Sequence, residues 1–581
     1  MASNYSALVK GRTEVLFVGF AVLFAALAGR LFYLQVLRHD EFQRRADSFR
    51  LRYRPIPAAR GAIVDRNGEY LATGMRVGNV IANPRRMTVA NRGQYARQLA
   101  PVLGMPLSEV ASLLARDKGY VILKKDVPWL EVEALTSLKP KVPEITVEPM
   151  VQRVYPKGRL ASQVLGFVNS KGFGAEGLEA SMNRELSGED GKCSYEVDAN
   201  AKPIADTRRI LQVAKPGRNL QLSIDSVLQD TAEKELDKTV QQFSAASASC
   251  IVMDVKTGEI LTMASSPRYD PNRAGTYPAA TRYNLCTKSI YEPGSTLKTI
   301  TAAAGLDSGV VSPSSAWYCA GKVLVGKKYV HCIVHAPFHG GHGTVHLKEI
   351  LTYSCNVGAG GVGRAMGAER LLKYLHLFGF GQRTGVELGG EEASWLPDAK
   401  KTKMTETFRI AFGQSIAVTP LQLCAAYAAL GNDGALVQPT IFKRRPGEKP
   451  KSHRAISPGT AVAIQQLLQG VVEDGTGKPA KIRGYRVAGK TGSAEVAEGK
   501  AGYKVRKYIG SFAGLLPADH PKVAILVKVD NPKGSHWGAS TAAPAWREVA
   551  RKAMSRLRIP MDDPSDMADG SEPRTMAKRK A

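Results

Sequence analysis

Three short segments far apart in the chain carry groups that together could run acyl transfer on a serine: Ser295-Thr-Leu-Lys298, Ser354-Cys-Asn356 and Lys490-Thr-Gly-Ser493. A serine hydroxyl is a poor nucleophile until a base takes its proton. A lysine three residues on, desolvated and near another cation, can lose enough basicity to be that base. Gly294 suits a turn into a helix, whose first N–H groups would favour negative charge developing at Ser295. From a loop between helices, Ser354 can relay a proton to a leaving amine while Asn356 hydrogen-bonds a substrate amide. In the third segment Lys490 supplies positive potential, Gly492 permits close backbone approach, and the hydroxyls of Thr491 and Ser493 can hold a carboxylate. Each segment alone has an ordinary reading, a capping serine with a solvated lysine, or a turn after the strand edge Tyr485-Arg-Val-Ala. Their order and combination carry the weight.

Such groups need a scaffold. At 581 residues, 44% hydrophobic and 23% charged, the chain exceeds what one core usually supports, so two or three domains are expected. After Lys215-Pro-Gly217 come a short alternating strand, Asn219 to Asp225, and an amphipathic helix, Val227 to Gln242. Ser249 to Asp254 and Glu259 to Ala264, joined by Lys256-Thr-Gly258, read as antiparallel strands. Late strands at Tyr508 to Leu516 and Val523 to Val529 precede a closing helix, Ala542 to Leu557. Helices between early and late strands would pack on a largely antiparallel sheet, an α+β multidomain organisation. Upstream, Arg38 to Tyr53 reads as an amphipathic helix and Arg60 to Ala72 as a hairpin turning at Asn67-Gly68. Helices are expected from Ser108 to Asp117 and Trp129 to Leu138, and a hairpin from Cys193 to Ile210. The divisions are 1–13 (tail), 14–37 (anchor), 38–215 (β-rich pedestal), 216–558 (the domain with the three motifs) and 559–581 (a polar, disordered tail ending in Lys578-Arg-Lys580).

The net charge of +28, from 80 basic and 52 acidic residues, calls for an anionic neighbourhood. No zinc-finger spacing, RNP-like segment or basic heptad helix is present, so nucleic acid is not the expected partner. Val15 to Leu37 is apolar except for Arg30 and Gln35, and its 23 residues make a helix of roughly 34 Å, enough to span a bilayer. Ala26-Leu27-Ala28 resembles a signal cleavage site, but the apolar run continues through Leu31-Phe-Tyr-Leu34, as in an uncleaved single-pass anchor. Lys10 and Arg12 precede the span and Arg38, Arg44, Arg45 and Arg50 follow it, which counts against export of the C-terminal part. Long domains translocate largely regardless of charge, so the expected arrangement is a cytoplasmic N-terminus with the rest exported.

Seven cysteines are too few for a disulfide scaffold. Cys319 and Cys332 flank an alternating hairpin, Gly321 to Val330, and both a bridge and two reduced thiols remain open. Five of the ten histidines, His331, His335, His339, His342 and His346, cluster beside them. Apart from His342, their expected place is an exposed loop, with no metal ligands and no cofactor, although a metal site is conceivable there.

In this order, the three motifs resemble those of the penicillin-binding proteins. The resemblance extends to Gly29 to Val36, Arg60 to Gly68, Tyr291 to Lys298 and Phe412 to Gln422, and covers roughly residues 14 to 557. It implies a class B, monofunctional enzyme with a pedestal domain, and Ile56-Pro-Ala-Ala-Arg-Gly61 and Ile81-Ala-Asn-Pro84 resemble the division type more than the elongation type. The implied reaction is D,D-transpeptidation of peptidoglycan stem peptides at the septum. Ser295 would attack the D-Ala-D-Ala bond, release D-Ala, and form an acyl-enzyme that a neighbouring amine resolves.

Ser295, Lys298, Ser354 and Lys490 would form the catalytic set, and Asn356, Thr491, Gly492 and Ser493 the substrate-binding set. The N–H groups of Ser295 and Ser493 would bind the oxyanion, and β-lactams would acylate Ser295. The resemblance also implies a bacterial cytoplasmic membrane location with the catalytic domain outside. A polytopic glycosyltransferase and other division proteins would meet the anchor and the Arg38 to Asn67 region. His342-Gly343 is itself a family-like feature. Three departures are Cys355 within the second motif, Ser493 in place of the commoner threonine, and Ser415 where glycine is frequent. The alternatives are an elongation-type enzyme, hydrolysis of the acyl-enzyme as in a carboxypeptidase or β-lactamase, and a catalytically weak penicillin-binding scaffold or sensor.

Overall fold

A five-stranded antiparallel sheet positions the three motifs, its strands in the spatial order Ile260–Ser266, Ser247–Asp254, Val523–Asp530, Tyr508–Leu516 and Ala488–Glu495. The computed structural model describes residues 2–138, 142, 144–198, 204, 206–333, 340–496 and 507–564. His335, His339, the middle of the Cys193 to Ile210 segment and the tail with Lys578-Arg-Lys580 lie outside the described residues.

The sheet is covered on both faces, and the period of two along its strands shows how. Val523, Ile525, Val527 and Val529 join one core with Leu228, Leu236, Trp546 and Val549, from helices Ser226–Gln242 and Ala543–Arg556. Ala524 and Leu526 point the other way, into a core with Ile300, Leu423 and Ile464 from helices Leu297–Asp307, Pro420–Gly431 and Pro458–Glu473. Local chemistry starts these helices where the sequence allows. The Asp225 carboxylate accepts from the N–H groups of Val227 and Leu228, both at 3.1 Å, and Thr419 and Gln422 form a capping box ahead of Pro420.

The two early strands, the two late strands and the closing helix form where the alternation put them, within a few residues. The third motif is not the ordinary turn that K-T-G alone would suggest. Lys490 to Ser493 lie inside the strand Ala488–Glu495, with Gly492 opposite Ser511 in the ladder. The register of Tyr508–Leu516 supplies the partner that local sequence could not announce.

The chain folds as two compact units, residues 1–60 with 187–217, and residues 61–186 with 218–581. The stretch 38–215 therefore contributes to both. In the first unit, helix Ala2–Phe32 continues through a π-helical turn, Tyr33–Leu37, into helix His39–Arg50. Lys10–Leu37, 28 residues, is long and apolar enough to cross a membrane. The amphipathic helix stops at Arg50, short of the expected Tyr53. Leu51–Ile56 is instead a strand, paired with Gly191–Glu196, which pairs in turn with Arg209–Gln212. Pro55, unsuited to a helix interior, sits in that strand.

In the second unit, Tyr70–Ala82 pairs with Ile63–Val64, Val121–Pro128 and Ile145–Val154, all antiparallel. The turn at Asn67-Gly68 is as expected: Gly68 has φ +91°, and the Asp65 carboxylate accepts from the N–H groups of Asn67 (2.8 Å) and Glu69 (2.9 Å). The helices expected near 108–117 and 129–138 are Leu107–Leu114 and Trp129–Thr136.

Candidate active site

Ser295 sits in a 3₁₀ turn, Gly294–Thr296, that leads directly into helix Leu297–Asp307. Two glycines make the turn possible. Gly294 has φ +55° and donates its N–H to Gly413 O at 3.0 Å, and a Cβ on Gly413 would lie 2.1 Å from Gly294 O. The turn leaves Ser295 half-buried, and among the described residues its hydroxyl has no hydrogen-bond partner.

One turn on, Lys298 is 1% exposed. Its Nζ donates to Ser354 O at 2.5 Å, Ser354 Oγ at 3.2 Å and Asn356 Oδ1 at 2.6 Å, so the first two motifs meet. Ser354 lies in the short connection between helices Leu347–Thr352 and Asn356–Leu377, as expected. Its φ of +59°, strained for a residue with a Cβ, accompanies the turning of its carbonyl onto Lys298. Both ends of the Asn356 amide are engaged, Oδ1 by Lys298 and Nδ2 by His331 O at 2.9 Å. Asn356 thus has a task that the sequence did not suggest, holding the lysine.

The strand carrying Lys490 to Ser493 is the sheet's edge, bonded on one side only. It lies against the turn that carries Ser295: a Cβ on Gly492 would stand 3.0 Å from Thr296 Cγ2, 3.3 Å from Pro293 O and 2.3 Å from Ser511 Oγ. An edge strand offers backbone groups that an extended peptide can pair with. Thr491 Oγ1 shares a hydrogen bond with Thr476 Oγ1 at 2.8 Å, and Ser493 Oγ accepts from Gly538 N at 3.0 Å.

Lys490 is fully buried, and its Nζ bonds to Thr491 O at 3.3 Å. Among the described residues, neither Lys298 nor Lys490 has a carboxylate within ion-pair distance. Burial consequently pulls Lys298 down to about 8, and burial together with the charge of Lys298 pulls Lys490 well below the usual lysine range. The third buried lysine, Lys528, is by contrast paired with Asp530.

Ser415 has φ +60°, which explains why glycine suits that position, and its N–H donates to Glu292 Oε1 at 2.8 Å. Two cavities of about 330 and 570 Å³, lined by residues between Glu369 and His453, contain none of these groups.

The expected hairpin forms, as strands Lys322–Val325 and Lys328–His331, but Cys319 and Cys332 are not bridged; all seven cysteines are free thiols. The two sulfurs face His342 Nδ1 at 3.6 and 3.4 Å, and Cys332 Sγ lies 3.6 Å from Cys355 Sγ. Hydrogen bonding between that pair holds the Cys332 thiol well below its usual range and pushes Cys355 up. Sequence reasoning treated Cys355 only as an oddity of the second motif. Its odd identity at that place was the available signal. His346 is elsewhere, its Nδ1 3.1 Å from Ser315 O at the start of helix Leu347–Thr352.

Compared with known proteins, residues 248–554 match the penicillin-binding protein transpeptidase domain and residues 55–222 the penicillin-binding protein dimerisation domain. The chain is 34% identical to stage V sporulation protein D of Bacillus subtilis, over 93% of this chain and 84% of that one. It is 32% identical to the probable peptidoglycan D,D-transpeptidase PbpC of Pseudomonas aeruginosa, over 94% and 95%. Its fold is similar to that of penicillin-binding protein 3 from Mycobacterium tuberculosis, crystallised with aztreonam: 27% identity, 88% and 99% coverage, TM-score 0.66.

Proposed function

Because this chain belongs to the class B penicillin-binding proteins, peptidoglycan D,D-transpeptidases with a dimerisation domain ahead of the transpeptidase domain, we propose that it cross-links stem peptides through a Ser295 acyl-enzyme. The observation that carries this reading is Lys298: a buried amine held by Ser354 and Asn356, one helical turn from the Ser295 hydroxyl, with no carboxylate within ion-pair distance among the described residues.

In the neutral form, Lys298 takes the Ser295 proton as Oγ attacks the carbonyl of the penultimate D-Ala. The N–H groups of Ser295, at a helix start, and Ser493, on the edge strand, stabilise the oxyanion. Collapse expels the terminal D-Ala, its amine protonated through Ser354, and an amine from a second stem peptide then attacks the acyl carbon. Thr491 and Ser493 bind the donor's terminal carboxylate, Gly492 lets the chain approach, and Lys490 supplies positive potential. A β-lactam follows the same first step and stays on Ser295. That aztreonam was bound in the Mycobacterium tuberculosis structure supports this.

The membrane segment Lys10–Leu37 would hold the N-terminus in the cytoplasm and the catalytic domain outside, with a polytopic glycosyltransferase and other division proteins as partners. The septal role rests on the Ile56 to Gly61 and Ile81 to Pro84 segments.

Labelling the full-length chain with a fluorescent penicillin, with the adduct located by peptide mass spectrometry, tests the chemistry. A stable adduct on Ser295, absent from Ser295→Ala, supports it; rapid drug turnover would favour a hydrolase, and no adduct on folded protein a scaffold. Elongated, undivided cells on depletion would support the septal role, and rounded cells the elongation type.

A further inference from the structure

We propose that Cys319, Cys332, His342 and Cys355 form a structural zinc site that fastens the second motif to the hairpin beside it. The four residues are 0%, 9%, 7% and 0% exposed, and one ligand atom from each lies within 4.8 Å of the others. A tetrahedral ion with Zn–S near 2.3 Å and Zn–N near 2.05 Å requires sulfur atoms about 3.8 Å apart and sulfur–nitrogen separations of about 3.6 Å. The observed sulfur–sulfur distance is 3.6 Å for Cys332–Cys355, and the two sulfur–nitrogen distances to His342 Nδ1 are 3.6 and 3.4 Å. Nothing has to move by more than a few tenths of an ångström along these three edges.

The four ligands come from four separate places: the end of strand Trp317–Cys319, the exit of the hairpin, the residue before strand Gly343–Val345, and the cap of helix Asn356–Leu377. One ion would tie them together. The surroundings also suit thiolates. The N–H of Asn356 donates to Cys332 Sγ at 3.2 Å and that of Gly358 to Cys355 Sγ at 3.3 Å, while the His342 ring is stacked on Tyr353.

Three soft sulfurs and one imidazole, with no carboxylate in the set, select zinc over magnesium or calcium. Four protein ligands leave no open position, so the role is structural. The ion would act on the reaction only through position. Cys355 stands between Ser354 and Asn356, which hold Lys298, and His331, which holds Asn356, adjoins Cys332.

The test uses the full-length chain, purified in detergent under reducing conditions. Elemental analysis should find about one zinc per chain, and cobalt exchange should give the visible bands of a tetrahedral ion with sulfur-to-cobalt charge transfer. Cys319→Ala and His342→Ala should each lower metal affinity at least ~10-fold, while Cys424→Ala, buried outside the cluster, should leave it unchanged. If the ligand variants do not fold, the wild-type metal content and cobalt spectrum decide alone. A reduced, cooperatively melting wild-type chain that holds no zinc and gives no cobalt bands overturns the proposal. So does a metal-free chain with a Cys332–Cys355 disulfide.

Discussion

Gly538 carries no proposed chemistry, yet Gly538→Ala should disable the enzyme. A Cβ built there would lie 2.2 Å from Gly492 O, 2.3 Å from Ser511 O and 2.9 Å from Ser511 N, all backbone atoms. An unstrained contact needs roughly 3.5 Å, so about 1 Å of movement is forced. The helical side is the stiffer one, because Gly538–Thr541 runs into helix Ala543–Arg556, anchored by the fully buried Trp546. The contacts with Ser511, in the strand Tyr508–Leu516 that is laddered on both sides, press on Gly538–Thr541 itself. The strand Ala488–Glu495, by contrast, is an edge, held by a single ladder, and should give way at Gly492. Its movement would shift the Ser493 N–H and stretch the Gly538 N to Ser493 Oγ bond, worth about 1 kcal/mol.

A displacement of 1 Å at a catalytic group costs about 10²-fold, so the second-order rate of acylation by a fluorescent penicillin should fall by about that factor. The adduct should still map to Ser295. Gly459→Ala is the control. No atom lies within 4 Å of the added Cβ and the residue is helical, so it should gain up to about 1 kcal/mol of stability with acylation unchanged. If Gly538→Ala acylates within about threefold of wild type, the claim that the edge strand's position limits the reaction is wrong.

The second-order rate of penicillin acylation, which reports the free enzyme, should rise about tenfold per pH unit below pH 8 and level off above, because only neutral Lys298 accepts the serine proton and burial holds its pKa at about 8; a flat profile would remove Lys298 as the base. Trp546→Ala should cost about 3–5 kcal/mol, since the ring packs edge-on against Phe512 and its Nε1 donates to Ile525 O at 2.9 Å; denaturant melts report it. Arg153→Ala should cost a similar ~3–5 kcal/mol, because it removes the ion-pair partner, at 2.7 Å, of the fully buried Glu179 carboxylate, to which the Tyr155 hydroxyl still donates at 3.3 Å, while acylation per folded molecule stays the same.

The sequence disclosed what depends on local pattern. The alternating strands Ser247–Asp254 and Val523–Asp530 announced themselves because every second residue is buried on the same face, and Asn67-Gly68 announced its turn because glycine accepts the positive φ. The segment Ala488–Glu495 did not. It holds two glycines and a lysine, poor strand formers, and becomes a strand only because Tyr508–Leu516 offers a ladder. The eight motif residues could be named from their types and order, but the pairing of Lys298 with Asn356 could not. It depends on Ser354 adopting a left-handed backbone, which no residue type there advertises. The four-residue sulfur and imidazole cluster was hidden for a related reason. Its spacings of 13, 10 and 13 residues match no compact ligand motif, so only the packing of separate strands and a helix cap reveals it.

The two buried lysines cannot be described one at a time. Each ammonium taken out of water costs several kcal/mol even after relaxation, and burial with the charge of Lys298 lowers Lys490, so holding both charges at once is disfavoured in the free enzyme. Three acceptors surround Lys298 Nζ and one meets Lys490 Nζ, so the single proton rests on Lys298. That is the wrong lysine for catalysis. A substrate carboxylate arriving at Thr491 and Ser493 reverses the preference, because it stabilises charge on Lys490, next in the strand. A cation there in turn pushes the proton off Lys298. On this argument the substrate creates its own base, and the positive potential and the general base are one proton in two positions. The midpoint governing acylation within the penicillin complex should therefore lie below the midpoint for free enzyme, near pH 8. With Lys490→Gln, which can take no proton, the two midpoints should coincide. If they stay apart in that variant, the lysines do not exchange a proton and Lys490 acts by another route.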